Sequence, residues 1–136
     1  MKHLDTRRTP GWISVYYDFG QKYGYEDMLR FFDEAIAKDR FRVQRIMKAE
    51  IADAPWENVT GAFDLDNVSL QNSAILREEC GVVTIAGISS MLRHPVMLIL
   101  YNQTSVLCIQ MPESAEDPSQ EDIDAYADFL GEISER

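Results

Sequence analysis

This sequence predicts a single α+β domain over residues 1–136. It should be an antiparallel or mixed sheet of four to five strands, with one helix from the N-terminal half and one C-terminal helix packed on it. Three observations carry that expectation. Residues 12–19 alternate at a strand's period of two. Residues 81–112 are dominated by apolar and β-branched runs broken by turn residues. Residues 25–39 and 120–134 place apolar side chains at helical spacing.

The first ten residues carry Lys2, Arg7 and Arg8 with no apolar periodicity, and they are expected to be flexible. In the next segment Ile13, Val15, Tyr17 and Phe19 share one face, and Trp12, Ser14, Tyr16 and Asp18 share the other. Gly20 is expected to end this strand, leaving Tyr23 in a loop. The first helix follows, with Tyr25, Met28, Leu29, Phe32 and Ile36 along one stripe.

Residues 41–54 fit either a helix or a strand, because Val43, Ile46, Met47 and Ile51 suit one period and Phe41, Val43 and Met47 the other. Asp53, Ala54 and Pro55 end the segment in both cases, since the residue before proline is pushed out of helical geometry. Residues 56–72 are rich in turn formers, and a short helix before Gly81 is the expectation for residues 69–80.

A buried strand is expected from Gly81 to Ser89, then a hairpin over 95–112 that turns at Asn102 and Gln103. The expected register sets Tyr101 opposite Thr104, Ile99 opposite Val106, Met97 opposite Cys108 and Leu98 opposite Leu107. Both faces of that hairpin are apolar, so it should lie centrally, with helices or an oligomer partner over one or both faces. An acidic linker, 113–118, leads to the C-terminal helix. There Ser119 and Asp122 approximate a capping box, and Ile123, Tyr126, Ala127, Leu130 and Ile133 form the buried stripe.

Composition narrows the function classes. The hydrophobic share of 46% and charged share of 26% are those of a chain that folds into a core. Only Cys80 and Cys108 are present, too few for a disulfide framework, and they form no zinc spacing. The N-terminus has no apolar run behind its basic residues and no stretch reads as a membrane span, so a cytoplasmic location without membrane association is expected. On that basis the N-x-[ST] triplets at Asn58, Asn67 and Asn102 are read as coincidental.

The net charge of −10 is unevenly spread: residues 1–12 carry +2, whereas residues 113–136 hold nine acids against Arg136, for −8. That layout argues against nucleic acid as a partner, because binding phosphates requires local positive charge that releases counterions. Lys38, Arg40, Arg42, Arg45 and Lys48 form one basic cluster. It reads as a solvated face, a docking patch, or a counter-charge for the acidic tail within the chain or across a dimer.

Motifs for chemistry are weak, and no cofactor is expected. His3 lies near the terminus, and His94 precedes Pro95 without a nucleophile or carboxylate beside it. Cys108 reads as a packed side chain. The acidic neighbours of Cys80 would raise its thiol pKa rather than lower it. The fragment DLDNVS offers Asp64 and Asp66 in a calcium-loop pattern, but Val68 and Ser69 occupy positions needing a ligand and then glycine. No catalytic or metal residues are therefore assigned.

What remains is protein recognition. Trp12, Tyr16 and Tyr23 are the aromatic side chains of residues 11–27 not claimed by the core pattern, and tyrosine and tryptophan recur at binding hot spots. Asp124, Asp128, Glu132 and Glu135 line the outer side of the C-terminal helix. Together these residues are the expected partner-binding set of a non-enzymatic acidic domain that neutralises or chaperones a basic protein, such as a toxin or a secreted effector. In size and charge sign the chain is similar to immunity proteins that inhibit basic nuclease toxins and to secretion chaperones. Two other classes stay open. One is a small enzyme or ligand-binding domain with a pocket between sheet and helix, drawing on His94, Tyr16 or Asp18; the other is a homodimeric structural module.

Overall fold

The computed structural model describes residues 1–52, 54–77 and 81–134. In chain order the elements are β1 (Lys2–Thr9), β2 (Trp12–Tyr23), α1 (Tyr25–Lys38), β3 (Arg42–Ala49), β4 (Glu57–Asn58), β5 (Val82–Ser89), β6 (His94–Tyr101), β7 (Thr104–Pro112) and α2 (Gln120–Ser134). The strands form one seven-stranded sheet in the order β1-β2-β7-β6-β5-β3-β4, with every paired neighbour antiparallel. The α+β class is as the sequence predicts. The strand count is not, because four to five strands were expected.

Two of the extra strands lie at the margins, where sequence patterns are weakest. Residues 2–9 were expected to be flexible, yet they pair with β2 as an edge strand, turning at Gly11, whose φ of +84° suits glycine. Seven of the eight side chains of β1 are exposed, so no apolar alternation marks the strand in the sequence. β4 is two residues long and pairs Met47 with Asn58 and Lys48 with Glu57. The ambiguous 41–54 segment resolves as strand β3. A bulge between Val43 and Arg45 interrupts its alternation and confuses a reading by period. Beside the bulge, Gly87 has no side chain for a physical reason: a Cβ there would overlap the Arg42 carbonyl.

β2 runs past Gly20, the expected stop, to Tyr23, through an irregularity between Asp18 and Tyr23. Gly20 takes φ +84° and donates its N–H to Asp18 Oδ1 at 2.7 Å, so it bends the strand without ending it. Of the helix expected before Gly81, the described residues hold one 3₁₀ turn, Ile75–Arg77, and the rest of that expectation falls outside them. The hairpin turns at Asn102 and Gln103 as expected, but its register differs by two residues. Ile99 faces Cys108, Met97 faces Gln110 and Leu98 faces Ile109. Gln103, at φ +64°, donates to the Tyr23 carbonyl, and Asn102 donates to the Gly81 carbonyl, so neighbouring strands fix the turn. A shift of two keeps every side chain on its expected face.

Both helices cover the same face of the sheet. Across it runs a row of directly paired residues, Val15, Ile109, Leu98, Ile85 and Ile46, each at most 1% exposed. Met28, Leu29, Phe31 and Phe32 from α1 and Ile123, Tyr126, Ala127 and Leu130 from α2 complete that core. Burying each large side chain contributes roughly 1.5–3 kcal/mol relative to exposure, and this layer is the main source of stability. Gly24 N–H donates to Asp27 at the start of α1, and Asp122 N–H donates to Ser119 Oγ at the start of α2.

The helices meet through a buried polar contact. The Tyr126 hydroxyl donates to Asp39 Oδ2 at 3.0 Å, and the Met91 N–H donates to Asp39 Oδ1 at 2.8 Å. Asp39 thereby joins the end of α1, the middle of α2 and the β5–β6 turn. A second carboxylate, Asp33 in α1, accepts from the N–H groups of Leu70 and Gln71 and holds the 59–76 segment on the helical side.

Candidate partner-binding surfaces

Two surfaces stand out, on opposite sides of the molecule. The first is the outer side of α2. Glu121, Ala125, Asp128 and Glu132 lie at i, i+4, i+7 and i+11 and are all exposed, with exposed Asp122 beside them and Glu113 and Glu116 on the preceding linker. Among the described residues, the ion pair found on this strip is the one between Asp128 and the amino group of Met1, at 2.6 Å. Glu116, Glu121, Asp122 and Glu132 have no cation against them there.

Asp124 does not belong to that outer line. It accepts hydrogen bonds from the Tyr17 hydroxyl at 2.7 Å and from Gln120 Nε2 at 2.8 Å, so it ties α2 to β2. The Tyr17 phenol is held well above the ordinary tyrosine range, first by burial and then by this carboxylate. Asp128 and Glu132 stand where the helical spacing puts them; Glu135 lies outside the described residues.

The second surface is the sheet face without helices. Tyr16, Cys108, Ile99, Thr84 and Met47 form one directly paired row across it, and Ser14, Gln110, Met97, Ala86 and Arg45 form the next. A small cluster of Ala49, Val82, Ile99 and Cys108 is flanked by Tyr16, Ala54, Met97 and Tyr101. Among the described residues no helix or strand lies over this face. Its small central side chains are shielded by taller neighbours: Cys108 is buried while Tyr16, Met97 and Tyr101 are partly exposed and Trp12 is 41% exposed. Burial pushes the Cys108 thiol up to about 12, which makes it a packed group and not a nucleophile.

The aromatic trio of the sequence reading divides. Trp12 and Tyr16 share the open face, with the Arg7 guanidinium 5.2 Å from the Tyr16 ring centroid. Tyr23 corrects the expectation of a loop tyrosine. It is 4% exposed, stacked on Phe19 at 4.3 Å and edge-on to Phe31, so it is a core residue under α1. The continuation of β2 beyond Gly20 brings it there.

The basic cluster also divides. Arg42 and Arg45 stand exposed on the open face, because the bulge puts both on one side, whereas Lys48 turns to the helical face and donates to the Ile75 carbonyl at 3.2 Å. The two arginines are therefore across the sheet from the acidic strip and do not neutralise it within the molecule.

His94, 8% exposed, has Nε2 3.3 Å from the Pro112 carbonyl at the end of the β6–β7 pairing. Asp64 accepts from the Asp66 N–H in a tight turn. Among the described residues no three His, Cys, Asp or Glu side chains are disposed to hold a metal, and no helix is long and apolar enough to cross a membrane. One cleft of about 340 Å³ opens between β2 and α2, lined by Phe19, Gln21, Tyr23, Asp128, Gly131 and Glu132 together with Met1. Another, of about 350 Å³, lies between the β5–β6 turn and α2, where Met91 and Leu92 face Glu116, Asp117 and Asp122. Both open onto the acidic side.

Fold and surfaces together define a two-layer α+β domain with an acidic helical side and a sheet face that carries no helix among the described residues. No protein-family model matches this chain, and neither the curated proteins nor the solved structures contain a match.

Proposed function

We propose that this chain is a non-enzymatic protein-binding domain that holds a basic protein partner against the acidic side formed by α2 and the 113–118 linker. The supporting observation is the exposed line of Glu121, Asp128 and Glu132, with Asp122 and Glu116 beside it, on which the described residues supply one cation, the Met1 amino group. Like charges held this close raise the free energy of the isolated domain, and a complementary cationic surface removes that repulsion. The same field accelerates encounter at low salt and discriminates against acidic partners. The clefts beside Met91 and along β2 would receive the aliphatic stems of lysine or arginine side chains, whose charged ends meet the carboxylates. Neutralisation of a basic toxin, or escort of a basic effector before its secretion, are the roles that this chemistry suits.

The test is capture of companions from the native host at low salt, with the parent chain and with a triple variant Glu116→Lys, Glu121→Lys, Glu132→Lys. All three positions are exposed and without an ion pair among the described residues, so the fold should persist, with Glu121→Lys costing only about 0.3–1 kcal/mol at the N-terminus of α2. The expected result is a near-stoichiometric basic protein that leaves as salt rises and that the variant fails to hold. A companion retained equally by the variant would sink the reading.

A further inference from the structure

We infer that the uncovered sheet face is a self-association surface, on which a second copy of this chain stacks sheet to sheet about a two-fold axis running parallel to the strands, close to β6. This inference is independent of what the acidic side binds.

Charge selects the face. The molecule carries −10 overall, yet the paired strands present Lys2, Arg7, Arg42 and Arg45 against Asp5 and Asp18 on this side, four cations to two carboxylates. Two copies approaching through their helical sides would oppose acid to acid. Through the sheet each copy brings a net of two positive charges, a smaller repulsion than that between two acidic strips. The accessible centre of the face, made by Tyr16, Ala86, Ile88 and Met97 above the already buried Ile99, Thr84 and Cys108, has no charged side chain.

Charge also selects the axis. A two-fold across the strands would lay β3 over the partner's β3 and crowd the partner's Arg42 and the partner's Arg45 against their own counterparts. A two-fold along the strands exchanges the two halves of the sheet order: β3 lies over the partner's β2, β5 over the partner's β7, and β6 over its own copy. Continued across the sheet, the pairings place Trp12 and Arg42 in one row, so this exchange sets Arg42 over the exposed ring of the partner's Trp12, a favourable cation–π geometry. Arg45 falls over the partner's Ser14, Met47 over the partner's Tyr16, and Met97 meets the partner's Met97 at the axis. Strands related this way run aligned, the arrangement that twisted sheets adopt when they stack at about −30°.

The extent is sufficient. The six longer strands at ~4.8 Å spacing with about 20 Å of paired length cover roughly 600 Å² on each copy, or about 1,200 Å² in the pair, which is the lower end of specific stable interfaces. Such a dimer forms reversibly. It would turn its two acidic helical sides outward in opposite directions, so that one assembly offers two equivalent strips.

The experiment is sedimentation equilibrium of the full chain over a hundredfold range of concentration, at moderate salt. The expected mass rises from 15.6 kDa toward twice that value. Met97→Glu places two carboxylates against each other on the axis and should raise the dissociation constant at least tenfold. Because Met97 is partly exposed in the single chain, its fold should persist, as far-ultraviolet circular dichroism would report. Arg42→Glu should weaken the dimer severalfold, and Glu132→Lys on the helical side should not weaken it. A mass fixed at 15.6 kDa throughout, or a dimer that survives Met97→Glu and is lost in Glu132→Lys, would overturn the inference.

Discussion

The buried contact that joins the acidic helix to the end of α1 is the one between Tyr126 and Asp39, and its removal has a calculable consequence. Tyr126 is fully buried and Asp39 is 4% exposed, so neither group finds water when the other is deleted. Tyr126→Phe removes only the hydroxyl and leaves Asp39 Oδ2 without its donor, while the Met91 N–H still serves Oδ1. A hydrogen bond to a charged acceptor contributes about 1.5–3 kcal/mol net, so the expected loss is ~2 kcal/mol. Asp39→Ala leaves the Met91 N–H unmet and leaves the buried hydroxyl only its contact with the Ser89 side chain, and the expected loss is ~3 kcal/mol. The double variant should cost less than the sum by about 1.5–2 kcal/mol, because the second deletion removes a group already orphaned by the first. Urea unfolding followed by circular dichroism reads these differences, with an unchanged slope confirming that the same surface is exposed. For a chain of 136 residues, ~2 kcal/mol corresponds to a midpoint lowered by roughly 6–10 °C. Additive losses, or a Tyr126→Phe variant within ~0.5 kcal/mol of the parent, would show that the contact does not anchor α2.

Two further outcomes follow from the same geometry. Burial pushes the Cys108 thiol from 9.0 up to about 12 and holds the Tyr17 and Tyr126 phenols above the ordinary tyrosine range, so at high pH the folded chain keeps protons that the unfolded chain releases. Stability is therefore complete below the unfolded values and declines as pH rises from about 9 toward 12, by up to ~1.4 kcal/mol per pH unit for each group; urea midpoints that rose across this interval would contradict the assignment. Tyr23→Ala should cost ~3–4 kcal/mol in urea unfolding because the ring fills the core beside Phe19 and Phe31, whereas Trp12→Ala on the open face should cost under ~1 kcal/mol in the single chain; the reverse order would return Tyr23 to the surface.

The sequence determined those features in which local chemistry repeats. The alternation through Trp12 to Phe19 assigns Ile13, Val15 and Tyr17 to the core and Trp12 and Tyr16 to the other face, and this holds because a strand's side chains can point only two ways. The stripes Met28, Leu29, Phe32 and Ile123, Tyr126, Leu130 define both helices within a residue or two of their ends, since burying a continuous apolar stripe is what stabilises a surface helix. The acidic side of α2 is equally legible, because charge needs no tertiary context to be read.

Tertiary structure decided everything that depends on distant neighbours. Whether residues 2–9 pair or fray depends on the free edge of β2, a partner the segment's own side chains do not announce. The identity of β3 depends on β5 beside it, which outweighs the broken period at the bulge. Tyr23 becomes core because Gly20 bends β2 instead of ending it, and Asp124 becomes an internal acceptor because Tyr17 happens to stand across from it. Above all, the apolar hairpin required cover on both faces by its sequence alone, and the fold places both helices on one of them. A sequence fixes which side chains seek burial, and only the packed chain decides which of them still lack a neighbour.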